Sequence, residues 1–209
     1  MTKLLQHLSE KAFQPLLMPL YASILPFFYS DIYFVSLFQS FRFLLLVAIA
    51  SYVFPALLAK LARQIYKNDP HSEAGTRFLP YICSFIFLSI LLFYFSRLGM
   101  PIWYISLLVA SSIVLLITGI FRIYKNMSGH LAGIGGLLGS TMGICYFIKG
   151  ENPFMLFIFM FLVAGLLASL QLSSQKYTTR QVYGGFITGW LVAFVSSFLF
   201  LYIRIAFFS

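Results

Sequence analysis

The residues best suited to chemistry in this sequence are Ser128-Gly129-His130, which lead directly into a glycine-rich apolar segment. Ser128 is a predicted helix N-cap, whose hydroxyl would accept a hydrogen bond from the first helical turn. The free amides and positive dipole of a helix that begins there favour an anion such as a phosphate. His130 would lie in the first turn, where an imidazole can bind a phosphate oxygen or protonate a leaving group. An interfacial histidine beside an ordinary helix cap is the alternative.

Two further loops carry groups that can contact the same anion. Arg77 stands at the mouth of a predicted helix with Pro80 in its first turn. Its guanidinium can hold two phosphate oxygens at once, or extend to lipid headgroups. The segment 173–181 adds hydroxyl groups and two more cations. The predicted phosphate-binding residues are Arg77, Lys125, Ser128, Gly129, Lys176 and Arg180.

Apolar helices must position these residues. Hydrophobic residues make up 61% of the 209 positions and charged residues only 9%, with a mean hydropathy of +0.93. Soluble domains carry roughly 25% charged residues. Because a bilayer span needs about 20 apolar helical residues, a chain of this length has no room for a large extramembrane domain. We therefore predict an all-α fold, a polytopic transmembrane helix bundle that forms a single domain over residues 1–209.

Uninterrupted apolar runs predict about seven spans. They lie near residues 13–29, 42–61, 78–96, 101–122, 129–148, 153–172 and 182–203. Pro15, Pro19 and Pro26 interrupt the first run, so that span is expected to be kinked, tilted or partly re-entrant.

Glycines recur at intervals of three and four residues between Gly129 and Gly143, and again at Gly185 and Gly189. This spacing predicts helices with a bare face, against which a neighbouring helix packs closely. Cys83 and Cys145 fall inside apolar runs and lack metal-ligand spacing. We expect no metal site and no cofactor.

The cations are distributed unevenly between the two faces that seven spans would create. Ten of the 14 Lys and Arg residues fall on one face: Lys3, Lys11, Lys60, Arg63, Lys67, Arg77, Arg122, Lys125, Lys176 and Arg180. By the positive-inside rule this face would be cytoplasmic. Cations kept for anion binding do not report topology, however, so both orientations stay open.

The order of these segments resembles the type 2 phosphatidic acid phosphatase family of membrane lipid phosphatases, especially its short members from the Bacteroidetes group. The resemblance rests on Ser128-Gly129-His130 running into residues 131–139, on Arg77 followed by Pro80-Tyr81, and on Thr178 to Tyr183 entering the last span. It extends in motif order from about residue 13 to the end. It implies a six-helix phosphatase-like core after a proline-rich first span, in a bacterial inner membrane.

The resemblance also implies roles for single residues. In the family a histidine attacks phosphorus, the histidine of Ser-Gly-His protonates the departing oxygen, and cations hold the phosphoryl oxygens. By position, His130 is the proton donor and Arg77 an oxygen clamp. The first and third motifs are degenerate, because Pro70 replaces a lysine, Tyr177 stands at the nucleophile position and Gln171 replaces the motif arginine.

These departures leave three functions open. Nucleophilic catalysis needs a group that is unprotonated near neutral pH, and a phenol is ordinarily protonated there. We therefore expect a catalytically impaired relative that binds phosphorylated lipid headgroups or a membrane protein partner, and no nucleic acid. The first alternative is an active phosphatase for phosphatidic acid, isoprenyl pyrophosphate or lipid A phosphate, with Tyr177 as an atypical catalytic residue. The second is a small transporter or scaffold, although no charged residue lies deep inside a span.

Overall fold

The computed structural model describes residues 14–29, 37–65, 73–124, 127–146, 154–175 and 177–208. In these ranges the chain is helical, without a β-strand. A 3-10 turn (Pro15–Leu17) leads into α1 (Met18–Tyr29), and a continuous rod follows, made of α2 (Leu37–Ala48), a π-helical segment (Ile49–Val53) and α3 (Phe54–Ile65). The remaining helices are α4 (Glu73–Arg97), α5 (Ile102–Tyr124), α6 (Gly129–Ile144), α7 (Phe154–Ser173) and α8 (Thr179–Phe208).

The helices have the length and the outer surface of membrane spans. Within the described residues, five stretches are long and apolar enough to cross a bilayer: Phe41–Ala62, Phe78–Arg97, Ile102–Phe121, Phe154–Ser173 and Thr179–Phe200. Large apolar side chains cover their outer faces, as Phe93 and Leu166 do at 65% exposure each. Two predicted spans are shorter, the apolar stretch Pro15–Ile24 and the 16-residue α6. The chain is an integral membrane bundle of helices, and the count of seven spans stays a prediction.

The start of α4 differs from the prediction. We expected Arg77 at the mouth of this helix with Pro80 in its first turn. The helix instead begins at Glu73, so Arg77 lies in the second turn and Pro80 lies inside the helix. A proline removes one helical hydrogen bond, which membrane helices tolerate where neighbours satisfy the freed carbonyl. The helix extends beyond the apolar span through residues 73–77, where Glu73, Ala74 and Arg77 favour helix although Gly75 and Thr76 do not.

Helix α6 lies at the centre of the bundle, in contact with α1, α5, α7 and α8. Its backbone touches that of α8 directly. A side chain at Gly139 would collide with the carbonyl oxygen of Trp190, and one at Gly189 would collide with the carbonyl oxygen of Ala132. The bare helix faces predicted from the glycine spacing are confirmed, and they explain how a helix as short as α6 is almost entirely buried.

The rod formed by α2 and α3 is joined to α4 by a hydrogen bond inside the bundle. Proline has no backbone N–H, so Pro55 leaves the carbonyl of Ser51 without its helical partner. The π-helical segment absorbs this irregularity, because the N–H of Phe54 bonds five residues back to Ile49. The Ser84 hydroxyl on α4 donates to the Ser51 carbonyl at 2.8 Å. A neighbouring helix thereby satisfies a group that hydrocarbon cannot.

Helices α4, α6 and α8 begin at the same end of the bundle, which we call the polar end. The Tyr81 hydroxyl of α4 lies 3.6 Å from the position that a Cβ at Gly129 would occupy. The N–H of Ser128 donates to the carbonyl of Gln181, in the first turn of α8, at 3.4 Å. The positive ends of three helix dipoles therefore face the same side.

The contact between α6 and α8 predicts opposite effects for two glycine substitutions. Gly139→Ala should lower the free energy of unfolding by about 1–3 kcal/mol, because its methyl group meets a backbone carbonyl that cannot rotate away. Gly165→Ala, at a position of α7 with no atom of a neighbouring helix within 4 Å of an added Cβ, should be neutral or slightly stabilising, because alanine favours helix. Thermal unfolding of the purified protein in detergent measures both. Equal melting temperatures for the two variants would contradict the backbone contact.

The hydrogen bond between Ser84 and Ser51 predicts that Pro55→Ala reduces the loss of stability caused by Ser84→Ala. Ser84→Ala should cost about 1–3 kcal/mol, because it leaves the Ser51 carbonyl buried and unsatisfied. In a Pro55→Ala background the same change should cost much less, because an alanine at that position supplies the missing helical N–H. A double-mutant cycle on unfolding free energies measures the difference. An equal cost in both backgrounds would rule out this hydrogen bond as the reason for Ser84.

Candidate functional site

Ser128 caps α6, as its sequence context predicts. Its backbone is extended (φ −68°, ψ 105°), and its hydroxyl oxygen accepts from the N–H of Leu131 at 3.4 Å. The N–H of Ala132 donates to the Ser128 carbonyl at 3.1 Å. The side chain is fully buried. The first turn of α6 is therefore fixed inside the protein at the polar end.

The Ser128 hydroxyl donates in turn to the side chain of Gln171 on α7. The distance from Ser128 Oγ to Gln171 Oε1 is 2.5 Å, and both residues are buried. The residue that contacts Ser128 is therefore a neutral carboxamide, at the position to which the resemblance assigns an arginine. The hydroxyl proton of Ser128 is engaged by this bond, and a ligand would have to break it to accept from Ser128.

The sequence marks Gln171 as a departure from a motif but does not predict its contact with Ser128. A signal was present, because α7 is otherwise built from apolar residues, glycine, alanine and serine. A carboxamide in such a helix generally finds a partner on a neighbouring helix. The sequence does not tell which helix supplies that partner.

A short turn brings the start of α8 beside Ser128. Gln175 adopts a φ of 53°, in the left-handed region that commonly ends a helix. Gln181 then reaches back, and its Oε1 accepts from the N–H of Thr178 at 2.9 Å, as in a capping box. Arg180 lies in this first turn of α8 with its side chain exposed. Its neighbour Gln181 is hydrogen-bonded to Ser128, which fixes Arg180 at the polar end.

His130 lies in the first turn of α6 and is half-buried. Gly129 beside it is enclosed, because a Cβ there would lie 3.3 Å from Pro15 and 3.4 Å from Thr118. The structure thus brings His130, Ser128, Gly129 and Arg180 to one end of the bundle. It also shows that the Gly129 side of the helix start is filled by protein.

Tyr177, at the position that the resemblance gives to the nucleophile, is half-buried. Its ring packs against the hydrophobic cluster that contains Leu131, Leu167 and Val182. Contacts of this kind are those of a structural side chain, since they hold the ring against the apolar interior.

Three predicted site residues are described only in part or not at all. The backbone of Arg77 lies one turn before Tyr81 in α4, and hence near the polar end. The Arg77 side chain, Lys125 and Lys176 lie outside the described part of the chain. Their contacts to a phosphate stay predictions.

Comparisons with known proteins leave the site unassigned. The chain matches no protein-family model, no curated protein and no solved structure. The family resemblance therefore rests on the sequence motifs alone.

The buried pair predicts that Ser128 matters far more to stability than a serine on the surface of α7. Ser128→Ala should cost about 2 kcal/mol or more, because it removes a cap and leaves the Gln171 carboxamide unsatisfied. Ser173→Ala, which alters only an exposed hydroxyl bonded within its own helix, should change little. Adding Gln171→Leu to Ser128→Ala should recover part of the loss. Thermal unfolding measures all three, and a Ser128→Ala protein as stable as Ser173→Ala would contradict the pair.

Proposed function

We propose that this protein binds the phosphate headgroups of anionic membrane lipids at its polar end and does not hydrolyse them. It would then be a catalytically impaired relative of the type 2 phosphatidic acid phosphatases, placed in a bacterial inner membrane. The observation that carries the proposal is the buried hydrogen bond between Ser128 and Gln171. It puts a neutral amide where the resembled enzymes hold phosphate oxygens with an arginine.

Several groups at the polar end support the binding of an anion. Arg180 is exposed in the first turn of α8, and His130 is half-buried in the first turn of α6. Both helices direct their positive ends to this side, and the chain carries a net charge of +9. Because apolar helix surface begins directly below, an anion at this level lies where lipid phosphates lie.

The loss of hydrolysis is supported by Tyr177. An attacking group must be able to approach phosphorus opposite the leaving oxygen, and this ring packs against the hydrophobic core of α6, α7 and α8. Replacing the motif arginine by Gln171 also removes a charge that would stabilise the transition state. Both changes lower the rate of hydrolysis but leave the exposed Arg180 free to contact a headgroup.

The binding proposal predicts a dependence on Arg180. Arg180→Gln should weaken the binding of phosphatidic acid by the protein reconstituted in nanodiscs about fivefold, since one cation near a membrane surface contributes about 1 kcal/mol. The matched control is Arg97→Gln, which removes an exposed cation from the C-terminal end of α4, on the opposite side of the bundle. Native mass spectrometry of retained lipid measures the binding. Equal losses in both variants would show that only overall charge matters.

The proposal also predicts no release of phosphate from phosphatidic acid, isoprenyl pyrophosphate or lipid A phosphate by the purified protein. The double change Gln171→Arg with Tyr177→His restores the two altered residues of the third motif and should yield measurable release if the site has decayed. Colorimetric phosphate assays compare the two proteins. Turnover by the unaltered chain that disappears in His130→Ala, with a phosphotyrosine at position 177, would contradict the proposal and establish an active phosphatase.

A further inference from the structure

The carboxamide of Gln171 has a nitrogen for which the protein supplies no partner. Gln171 lies in the last turn of α7 and is 6% exposed. Its Oε1 accepts the Ser128 hydroxyl proton, whereas its Nε2 donates to no acceptor in the part of the chain that the structure describes. A buried amide without an acceptor is costly, because its hydrogen bonds to water are lost. The two protons on Nε2 are therefore suited to an acceptor that comes from outside the protein.

The place of this nitrogen favours an anionic acceptor. Because Oε1 and Nε2 belong to one planar carboxamide, the hydrogen bond that holds Oε1 keeps Nε2 close to Ser128 as well. Ser128 caps α6, a helix of 16 residues, whose positive dipole end lies there. An anionic oxygen beside Ser128 would thus gain both from the carboxamide protons and from the helix start. A phosphate oxygen of a lipid is an acceptor of this kind.

The buried carboxamide is linked to the exposed cation of the polar end. Ser128 donates its hydroxyl to Gln171 and its N–H to the carbonyl of Gln181, the residue after Arg180. One serine therefore positions the end of α7 and the start of α8 together. The guanidinium supplies charge at the surface, and the carboxamide supplies a neutral hydrogen bond inside the protein.

A neutral donor distinguishes phosphate headgroups by their charge. A phosphomonoester carries about two negative charges near pH 7, whereas a phosphodiester carries a single one. Moving a charge out of water is costly unless an opposite charge lies beside it. The Gln171 carboxamide can satisfy a lone pair of a phosphate oxygen but balances no charge. The second charge of a phosphomonoester would therefore lose water beside Gln171 without compensation.

We propose that Gln171 donates to a headgroup oxygen through Nε2 and thereby selects lipids whose phosphate is a diester. The inference rests on the proposed function and deepens it, since it names the class of headgroup. Phosphodiester lipids with a single negative charge, such as phosphatidylglycerol, are bound in preference to phosphatidic acid. Gln171 is then a specificity-determining residue, and Ser128 holds its carboxamide in place.

Phosphatidylmethanol and phosphatidic acid test the inference on the unaltered protein, because the two lipids differ only by a methyl group and a charge. The protein is reconstituted in phosphatidylcholine nanodiscs with equal amounts of both lipids, in mildly alkaline buffer, and native mass spectrometry measures what it retains. Phosphatidylmethanol should be retained about fivefold more, the difference expected for one charge near a membrane surface. Equal retention, or a preference for phosphatidic acid, would overturn the inference and leave the binding of phosphate headgroups intact. If neither lipid is retained above phosphatidylcholine, the proposed function fails and this inference with it.

A matched pair of variants assigns the preference to Gln171. Gln171→Arg places a positive charge beside Ser128, whereas Gln175→Arg adds the same charge in the exposed turn before α8. With melting temperatures checked first, Gln171→Arg should shift the preference toward phosphatidic acid at least fivefold. Gln175→Arg should shift it much less, because solvent screens an exposed charge. Equal shifts in both variants would show that the total charge of the polar end sets the preference, and would overturn the role of Gln171.

Gln171→Met serves if the arginine variant does not fold. It fills a similar volume without a donor and without a charge, so it should lower the retention of phosphatidylmethanol to that of phosphatidic acid. Retention that keeps the fivefold preference in this variant would overturn the contact to Nε2.

Discussion

The direct backbone contact between α6 and α8 is the constraint on which the rest of the structure depends. Side chains at Gly139 or Gly189 would collide with carbonyl oxygens of the facing helix. Because lipid tails are as apolar as the helices, close packing has to supply much of the attraction between them. The same contact brings the N–H of Ser128 to the carbonyl of Gln181, so the geometry of the polar end follows from glycines deeper in the bundle.

At the polar end this scaffold holds a neutral buried pair and leaves Arg180 outside. Ser128 and Gln171 satisfy one another within the protein, whereas Arg180 is exposed. A buried arginine in place of Gln171 would need an anion beside it, because an unpaired buried charge is costly. The pair therefore stabilises the bundle by itself, and the proposed binding of an anion would fall to groups at the headgroup level. Structure and proposed function are consistent on this point.

The sequence predicted the features that depend on near neighbours. The cap at Ser128 and the bare faces of α6 and α8 follow from local chemistry and from the helical period. The bonds from Ser84 to Ser51 and from Ser128 to Gln171 join residues 33 and 43 positions apart. Which hydroxyl meets which carbonyl across such distances is set by packing, and no local pattern encodes it. The predicted start of α4 was wrong because Pro80 is tolerated inside a helix.

Disulfide cross-linking tests the contact between α6 and α8 most directly. A Cβ at Gly143 would lie 3.0 Å from the Cβ of Ser197, close to the 3.5–4.5 Å of a disulfide. In a Cys83→Ala, Cys145→Ala background, Gly143→Cys with Ser197→Cys should form a disulfide on mild oxidation. Neither thiol should then react with maleimide, and both should react again after reduction. The control pair, Gly165→Cys with Ser197→Cys, should stay reactive. If the Gly143→Cys pair stays as reactive as the control, the two helices do not meet as described and the polar end built on them is contradicted.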